Sequence, residues 1–333
     1  MQYELRTQVI EAKRKTFANL TERFGDRPAS RYEEGSIDIQ AVTNFHYRPL
    51  WDPEHEIYDE SYSAVRLSDT YSFTDPRQLY YFPYVTARSH LHEAFGSTLS
   101  YLDSRSLLEK MPAAWKTAVA QAVIPMRHYE SGAQLLAAYG CRFAWGTTIE
   151  QCLSYSAFDR IGNAQMLSRA GIALDGGTDA LLGEAKTQWL ENADLQPLRK
   201  YIELLMPEKD WAVALVGLDL MDQLLYGLLY THLDEAALMG GAGGYSLIAQ
   251  HFAGWFADQR RWVDALYRAW LADGEHGAAN RVTLAAARAK LLPGAVEAAQ
   301  GVARLIDAQI DCGAADYVTS RAATLAGLFA EES

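Results

Sequence analysis

The sequence predicts an all-α protein built on long helices and preceded by an extended, mostly irregular N-terminal arm. Two observations support this fold class. From about residue 75 to the end, apolar residues recur at the helical period, with neither βαβ alternation nor an internal repeat. Between residues 25 and 74 no helical period holds for more than two turns, and five of the ten prolines and nine of the nineteen tyrosines fall within the first 84 residues. We therefore divide the chain into residues 1–74 and residues 75–333.

The N-terminal part is predicted to contain one helix followed by the arm. The helix covers residues 6–24. The arm is aromatic, which disordered segments usually are not, so we expect it to pack on a partner protein. Asp75-Pro76 predicts the start of the next helix, with proline at its first position. Pro112 and Pro125 predict helix starts or a kink in the segment that runs to about residue 145.

From residue 147 onward, capping residues, prolines and glycines mark the ends of successive helices. Thr147 and Glu150 have the spacing of a capping box, which predicts a helix to about residue 174. Further helices are predicted over residues 178–191, 207–239 and 245–272. Three alanine-rich segments complete the chain, separated by Gly274, Gly277, Pro293 and Gly313.

Composition excludes several classes of protein. The chain has 333 residues, 49% of them hydrophobic, and a formal net charge of −12, so phosphate-rich partners such as nucleic acid or anionic membrane would be repelled.

The most apolar stretch, residues 211–230, contains Asp219 and Asp222 and is interpreted as a buried helix instead of a membrane span. The first twenty residues lack the apolar run of a signal peptide. Three cysteines without a Cys-x-x-Cys pair encode neither a disulfide framework nor a zinc site. We expect a cytoplasmic protein.

No catalytic motif emerges from the residues alone. A di-iron site in a helix bundle needs two Glu-x-x-His pairs, and none of the eight histidines has glutamate three positions before it. Serine-hydrolase, zinc-protease and P-loop motifs are also missing from the sequence. The glycine run at residues 240–244 follows no predicted strand, so it is interpreted as a turn between helices.

Four segments nevertheless carry a specific pattern: residues 24–33 (FGDRPASRYE), 44–53 (NFHYRPLWDP), 74–81 (TDPRQLYY) and 167–178 (LSRAGIALDGGT). They resemble the β subunit of bacterial multicomponent phenol hydroxylase, in the family of the toluene and soluble methane monooxygenases. The resemblance implies a ferritin-like long-helix bundle. It also implies a hydroxylase made of two αβγ protomers, in which the di-iron centre lies in the α subunit and β lacks it.

The function implied by the resemblance is that of a non-catalytic structural subunit. Hydroxylation of phenols to catechols, with O₂ and electrons from NADH, would belong to the complex. The implied partners are the α and γ subunits, the second protomer, a regulatory protein and an NADH-dependent reductase. The alternative is a free-standing helical enzyme or binding protein with an unrecognised site.

The resemblance also implies where the iron ligands have been lost. In the α subunit they lie in two copies of an Asp-Glu-x-Arg-His frame and on two further helices. Here the frames read Asp-Arg-Ile-Gly-Asn at residues 159–163 and Asp-Gln-Arg-Arg-Trp at residues 258–262. The six degenerate ligand positions are Glu130, Arg160, Asn163, Gln223, Gln259 and Trp262.

Two expectations follow from this mapping. We expect no metal in this chain, and a salt bridge between Glu130 and Arg160 in the core with Gln223 or Gln259 hydrogen-bonded nearby. Glu130→Ala should then be strongly destabilising, and adding Arg160→Leu should recover much of the loss. We also expect residues 25–73 to extend across the α subunit, anchored by Phe45, Tyr47, Arg48 and Trp51.

Overall fold

The computed structural model describes residues 17–40, 54–57 and 59–330. Within these ranges the chain is helical and contains no β-strand, which confirms the all-α prediction. The helices are α1 (Ala18–Phe24), α2 (Arg31–Glu34), α3 (Tyr81–Ser104), α4 (Ala113–Ala118), α5 (Met126–Phe143), α6 (Thr147–Leu174), α7 (Ala180–Glu191), α8 (Gln196–Leu205), α9 (Trp211–Gly227), α10 (Leu233–Met239), α11 (Gly243–Ala272), α12 (Gly277–Asp307) and α13 (Ala314–Leu325).

Four long helices form the central bundle. Helix α5 contacts α6 and α9, and α11 contacts α6 and α9 in turn, so the four helices close around one core. Large aromatic side chains fill that core, among them the fully buried Phe252, Trp255 and Trp262 on α11. Helix α3 covers α6 and α11, while α8, α12 and α13 cover α9. This is the ferritin-like long-helix bundle that the resemblance implies.

Helix α9 is the most apolar element and lies inside the bundle. A π-helical turn, Leu228–His232, joins it to α10, so helical structure runs without a break from Trp211 to Met239. The helix is long and apolar enough to cross a membrane by length and composition alone, but 89% of its most apolar window is buried in the protein. Its start at Pro207 is predicted wrongly, because the Asp210 carboxylate accepts the backbone N–H of Ala212 at 2.9 Å and caps the helix there.

The capping box predicted at the start of α6 does not form. Gly146 is the N-cap residue, with φ of 102°, a left-handed conformation that favours glycine. Its N–H donates to the side-chain oxygen of Gln40 at 2.6 Å. The Thr147 hydroxyl instead lies 3.3 Å from the hydroxyl of Tyr71. The helix therefore begins at the predicted residue but with a different cap.

Two predictions based on proline are also wrong. Helix α3 begins at Tyr81 and not at Pro76. The Asp75 carboxylate accepts the N–H of Arg77 at 2.9 Å, and Gln78 has φ of 51°, which a right-handed helix does not allow. Pro293 lies inside α12 without ending it. Tight packing of this helix on α8 and α9 offsets the hydrogen bond lost at proline, so the three alanine-rich segments form two helices.

Part of the predicted arm packs on its own chain. Val65 and Phe73 are buried in the main core. The backbone N–H of Arg66 donates to the Asn280 side chain at 2.9 Å, and the Asn280 amide donates back to the Arg66 carbonyl at 2.7 Å. The expectation that the whole arm extends across a partner is wrong for these residues, because their apolar side chains find a surface within the same chain. Phe45, Tyr47, Arg48 and Trp51 lie outside the described residues.

Candidate functional site

The six predicted ligand positions all lie on the four central helices. Glu130 comes from α5, Arg160 and Asn163 from α6, Gln223 from α9, and Gln259 and Trp262 from α11. All six side chains are buried. The mapping therefore selects buried positions on four different helices, although the structure brings only some of them into contact.

Arg160 and Glu130 form the predicted salt bridge. Nη1 of Arg160 lies 3.2 Å from Oε2 of Glu130, and the guanidinium is fully buried. Its central carbon stands 4.8 Å from the centre of the Trp255 ring, a distance at which a cation is attracted to the aromatic face.

Asp222 is the stronger partner of Arg160, and it is not among the site residues predicted from the sequence. Nη1 donates to Asp222 Oδ1 at 3.0 Å and Nη2 donates to Oδ2, so the carboxylate receives the guanidinium in a two-point fork. The hydroxyl of Tyr129 donates to the same Oδ1 at 2.7 Å. A signal was present in the sequence: a carboxylate within the most apolar helix needs a buried cation.

Tyrosine and asparagine side chains complete the cluster on the Glu130 side. The Tyr226 hydroxyl donates to Oε1 of Glu130 at 2.5 Å, and Nδ2 of Asn163 donates to the Tyr226 hydroxyl at 3.0 Å. We call the set of Tyr129, Glu130, Arg160, Asn163, Asp222 and Tyr226 the ionic cluster.

Neither glutamine bonds to the ionic cluster. Gln223 donates to Asp219 at 2.9 Å and accepts from Arg321 at 2.8 Å, because one residue beyond Asp222 turns its side chain by about 100° around α9. Gln259 donates to the Ser156 hydroxyl at 2.8 Å. It lines the same small cavity as Arg160, so Gln259 meets the expectation that one of the two glutamines is hydrogen-bonded nearby.

Burial and charge set the protonation of the cluster. Burial raises the pKa of Glu130 above its ordinary value, although Arg160 acts in the opposite direction. Burial by itself would lower the pKa of Arg160, but the charges of Asp222 and Glu130 outweigh it and hold the pKa well above its usual range. Burial also raises the pKa values of Tyr129 and Tyr226, which remain neutral donors.

This donor set does not fit a pair of iron ions. The ionic cluster offers one glutamate and one aspartate as ligands, whereas the di-iron sites of helix bundles use four carboxylates and two histidines. A guanidinium has only donors and cannot lose its proton, so it cannot ligate a metal. No group of three or more histidine, cysteine, aspartate or glutamate side chains suited to a metal ion occurs within residues 17–40, 54–57 and 59–330.

A second set of charges fastens α3 to the bundle beside the ionic cluster. Arg88 of α3 forks onto Asp159, with Nε 2.7 Å from Oδ1 and Nη2 2.8 Å from Oδ2. The same Nη2 donates to Asp258 at 2.9 Å, and Trp255 donates its ring N–H to Asp159 at 2.9 Å. Asp159 and Asp258 are the first residues of the two degenerate frames, and here they hold α3 against α6 and α11. Arg88 is not among the residues predicted from the sequence.

Comparison with known proteins finds relatives along most of the chain. The family described as methane/phenol/alkene hydroxylase matches residues 51–274. The chain is 39% identical over 282 residues to the phenol 2-monooxygenase oxygenase component DmpL of Pseudomonas sp. strain CF600, covering 84% of each protein. It is 34% identical over 277 residues to the oxygenase component MhpL of Acinetobacter pittii strain PHEA-2, covering 83% of each.

Solved structures show the same fold. A chain of phenol hydroxylase from Pseudomonas sp. OX1 superposes with a TM-score of 0.85 at 33% identity, covering 97% of this chain and 98% of that one. A chain of toluene 4-monooxygenase gives a TM-score of 0.77 at 19% identity, covering 90% of this chain and 100% of that one.

Proposed function

The chain belongs to the methane, phenol and alkene hydroxylase family, and from this premise we propose that it is the non-catalytic β subunit of the oxygenase component of a phenol hydroxylase. Both relatives named above are oxygenase components of phenol 2-monooxygenase. The chain covers more than four fifths of each relative, so the similarity extends over most of both proteins.

The observation that carries the proposal is the position of Arg160. Its guanidinium lies between Glu130 and Asp222 at the centre of four helices, the place that the resemblance assigns to the iron ions in a catalytic subunit. A positive charge at this point neutralises the buried carboxylates that metal ions would otherwise neutralise. The core thereby keeps the bundle architecture without iron chemistry.

The proposed role is to support a partner that holds the iron. The α subunit would carry the di-iron centre, and γ and a second αβγ protomer would complete the hydroxylase. O₂-dependent conversion of phenols to catechols would then take place in the partner, with NADH electrons delivered through a reductase and a regulatory protein, all in the cytoplasm. In this chain the residues of the ionic cluster hold α5, α6 and α9 in register.

Exposed apolar residues support association with a partner. Tyr81 and Phe82 at the start of α3 are 76% and 69% exposed. Phe158 and Ile161 on the outer side of α6 are also exposed, and the Phe158 ring lies 6.4 Å from that of Tyr84 on α3. Neighbouring apolar side chains at the surface of two packed helices are typical of a protein interface.

Co-purification tests the proposal. The chain is tagged and expressed with and without the other hydroxylase subunits, and each preparation is analysed for subunit composition, iron and phenol hydroxylation. We expect a stable complex whose iron stays with the partner after the subunits are separated, and no iron or activity in this chain alone. A complex reconstituted without this chain is the control and should be inactive or unassembled.

The opposite result would favour the alternative. A tagged chain that is monodisperse and catalytically active alone, or that retains iron after separation, would contradict the role of a supporting subunit. A monodisperse chain that recruits no hydroxylase subunit and shows no activity would also contradict it.

A further inference from the structure

A small cavity adjoins the ionic cluster in the centre of the bundle. Its lining includes Ser156 and Arg160 of α6, Asp219 and Asp222 of α9, and Gln259 of α11. About 10 Å³ is open to a water-sized sphere, and one water needs roughly 10–15 Å³ by this measure. The cavity therefore has room for one water molecule and for nothing larger.

Two side chains that line this cavity carry polar atoms without a partner. Nε of Arg160 and Oε1 of Gln259 are buried and have no hydrogen bond within the part of the chain that the structure describes. One is a donor and the other is an acceptor. Buried polar groups are almost always satisfied by protein or by ordered water.

We infer that one buried water molecule binds here and bridges α6 to α11. Its oxygen accepts the N–H of Arg160 Nε, and one of its hydrogens points to Oε1 of Gln259. The second hydrogen is free to donate to a carboxylate of the lining, Asp219 or Asp222. The water gives each unpaired atom the partner that it lacks.

The surroundings favour water over other small ligands. A metal or ammonium ion would lie against the guanidinium of Arg160 and be repelled by it. An anion would meet the carboxylates of Asp219 and Asp222 and the amide oxygen of Gln259. Only a neutral molecule that both donates and accepts matches the lining. The inference goes beyond the proposed function, because it depends on these atoms whether or not the chain is a β subunit.

A crystal structure of the purified complex, at a resolution that shows ordered solvent, tests the inference. We expect one isolated density peak at about 2.7–3.2 Å from both Arg160 Nε and Gln259 Oε1, the ordinary hydrogen-bond range. A cavity without density, or a direct bond between the two side chains, would overturn the inference.

A pair of variants in the same crystal form provides the second measurement. Gln259→Met keeps the length of the side chain but removes the acceptor, so the peak should be lost or its occupancy should fall by more than half. Gln250→Met is the control, because that exposed amide on α11 donates to the Leu247 carbonyl and does not line the cavity. A peak of full occupancy in Gln259→Met would exclude Gln259 as the acceptor and overturn the assignment.

Discussion

Replacement of Arg160 by leucine should strongly destabilise the four-helix core. The fully buried guanidinium gives one hydrogen bond to Glu130 and a two-point fork to Asp222. Without it, the donors that remain to the two carboxylates among the described residues are the hydroxyls of Tyr226 and Tyr129. Removing one partner of a buried ion pair costs about 3–5 kcal/mol, because the other charge stays without compensation.

The loss should depend on pH in a defined direction. A stranded carboxyl can escape its charge by binding a proton, which costs about 1.4 kcal/mol for each pH unit above its ordinary pKa. For Glu130, with an ordinary pKa of 4.5, this cost is about 3.4 kcal/mol at pH 7 and below about 1 kcal/mol at pH 5. The deficit of Arg160→Leu should therefore shrink as the pH falls from 7 to 5.

Hydrogen exchange within the purified complex measures the effect. After correction for intrinsic exchange, peptides from α5, α6 and α9 report the free energy of opening at each pH. Arg199→Leu is the control, because Arg199 forms an exposed salt bridge with Glu203 on α8, which contributes less than about 0.5 kcal/mol. A change below about 1 kcal/mol for Arg160→Leu at pH 7 would refute the reasoning.

Asp222 changes the rescue expected from the sequence. After Glu130→Ala, Arg160 still holds Asp222 through its fork, so the loss should be smaller than the sequence suggests. Adding Arg160→Leu would leave Asp222 alone and should not restore stability. The triple variant Glu130→Gln, Arg160→Leu, Asp222→Asn removes every charge of the ionic cluster and keeps hydrogen-bonding side chains at positions 130 and 222. It should be more stable than Arg160→Leu at pH 7, and its stability should lack the pH dependence that Glu130 contributes to that variant.

Three further outcomes are expected. The pKa of Glu130 is higher in the folded chain than its ordinary value of 4.5, so between these two pKa values the folded chain holds a proton that the unfolded chain has lost. The free energy of unfolding should therefore fall as the pH rises from 4.5 to the raised pKa. Glu130→Gln should remove this fall when thermal unfolding is measured over a series of pH values. If the slope of stability against pH is unchanged in the variant, the raised pKa of Glu130 is contradicted. Gly146→Ala should lower the free energy of unfolding by about 1–3 kcal/mol, measured by thermal unfolding, because φ is 102° and the new Cβ would overlap Thr70. Gly254→Ala is the control, because the space around Gly254 is open and the variant should be as stable as the parent protein. Trp51→Ala should weaken assembly of the hydroxylase in dilute size-exclusion chromatography, and unchanged assembly would remove Trp51 as an anchor.

Helical periodicity was sufficient to predict the bundle, but not the ends of its helices. Long runs with an apolar face identify α6, α9 and α11, because each helix must bury that face. The ends depend on contacts between distant segments. Gly146 caps α6 with help from Gln40, more than a hundred residues earlier, and Pro293 stays helical because other helices pack around it. No local pattern contains that information.

The candidate site shows the same limit at the scale of one residue. Opposite charges at two core positions were enough to predict the pair of Glu130 and Arg160, because neither can be buried alone. Asp222 was missed because mapping by spacing selected its neighbour Gln223. A shift of one residue turns a side chain by about 100° around the helix, so a small error of alignment exchanges a core position for one facing α13.

The composition of the ionic cluster explains why charge was retained where apolar residues would also fill the space. Well-packed apolar residues are often more stable than a buried ion pair, so stability alone does not account for Arg160. The cluster instead ties together three helices, because Glu130 lies on α5, Arg160 on α6 and Asp222 on α9. A slip of α9 by one turn, about 5.4 Å, would carry Asp222 away from Arg160 and leave its carboxylate buried without that cation. That penalty selects one register of the bundle, and a fixed register is what a subunit needs if its role is to hold a partner in place.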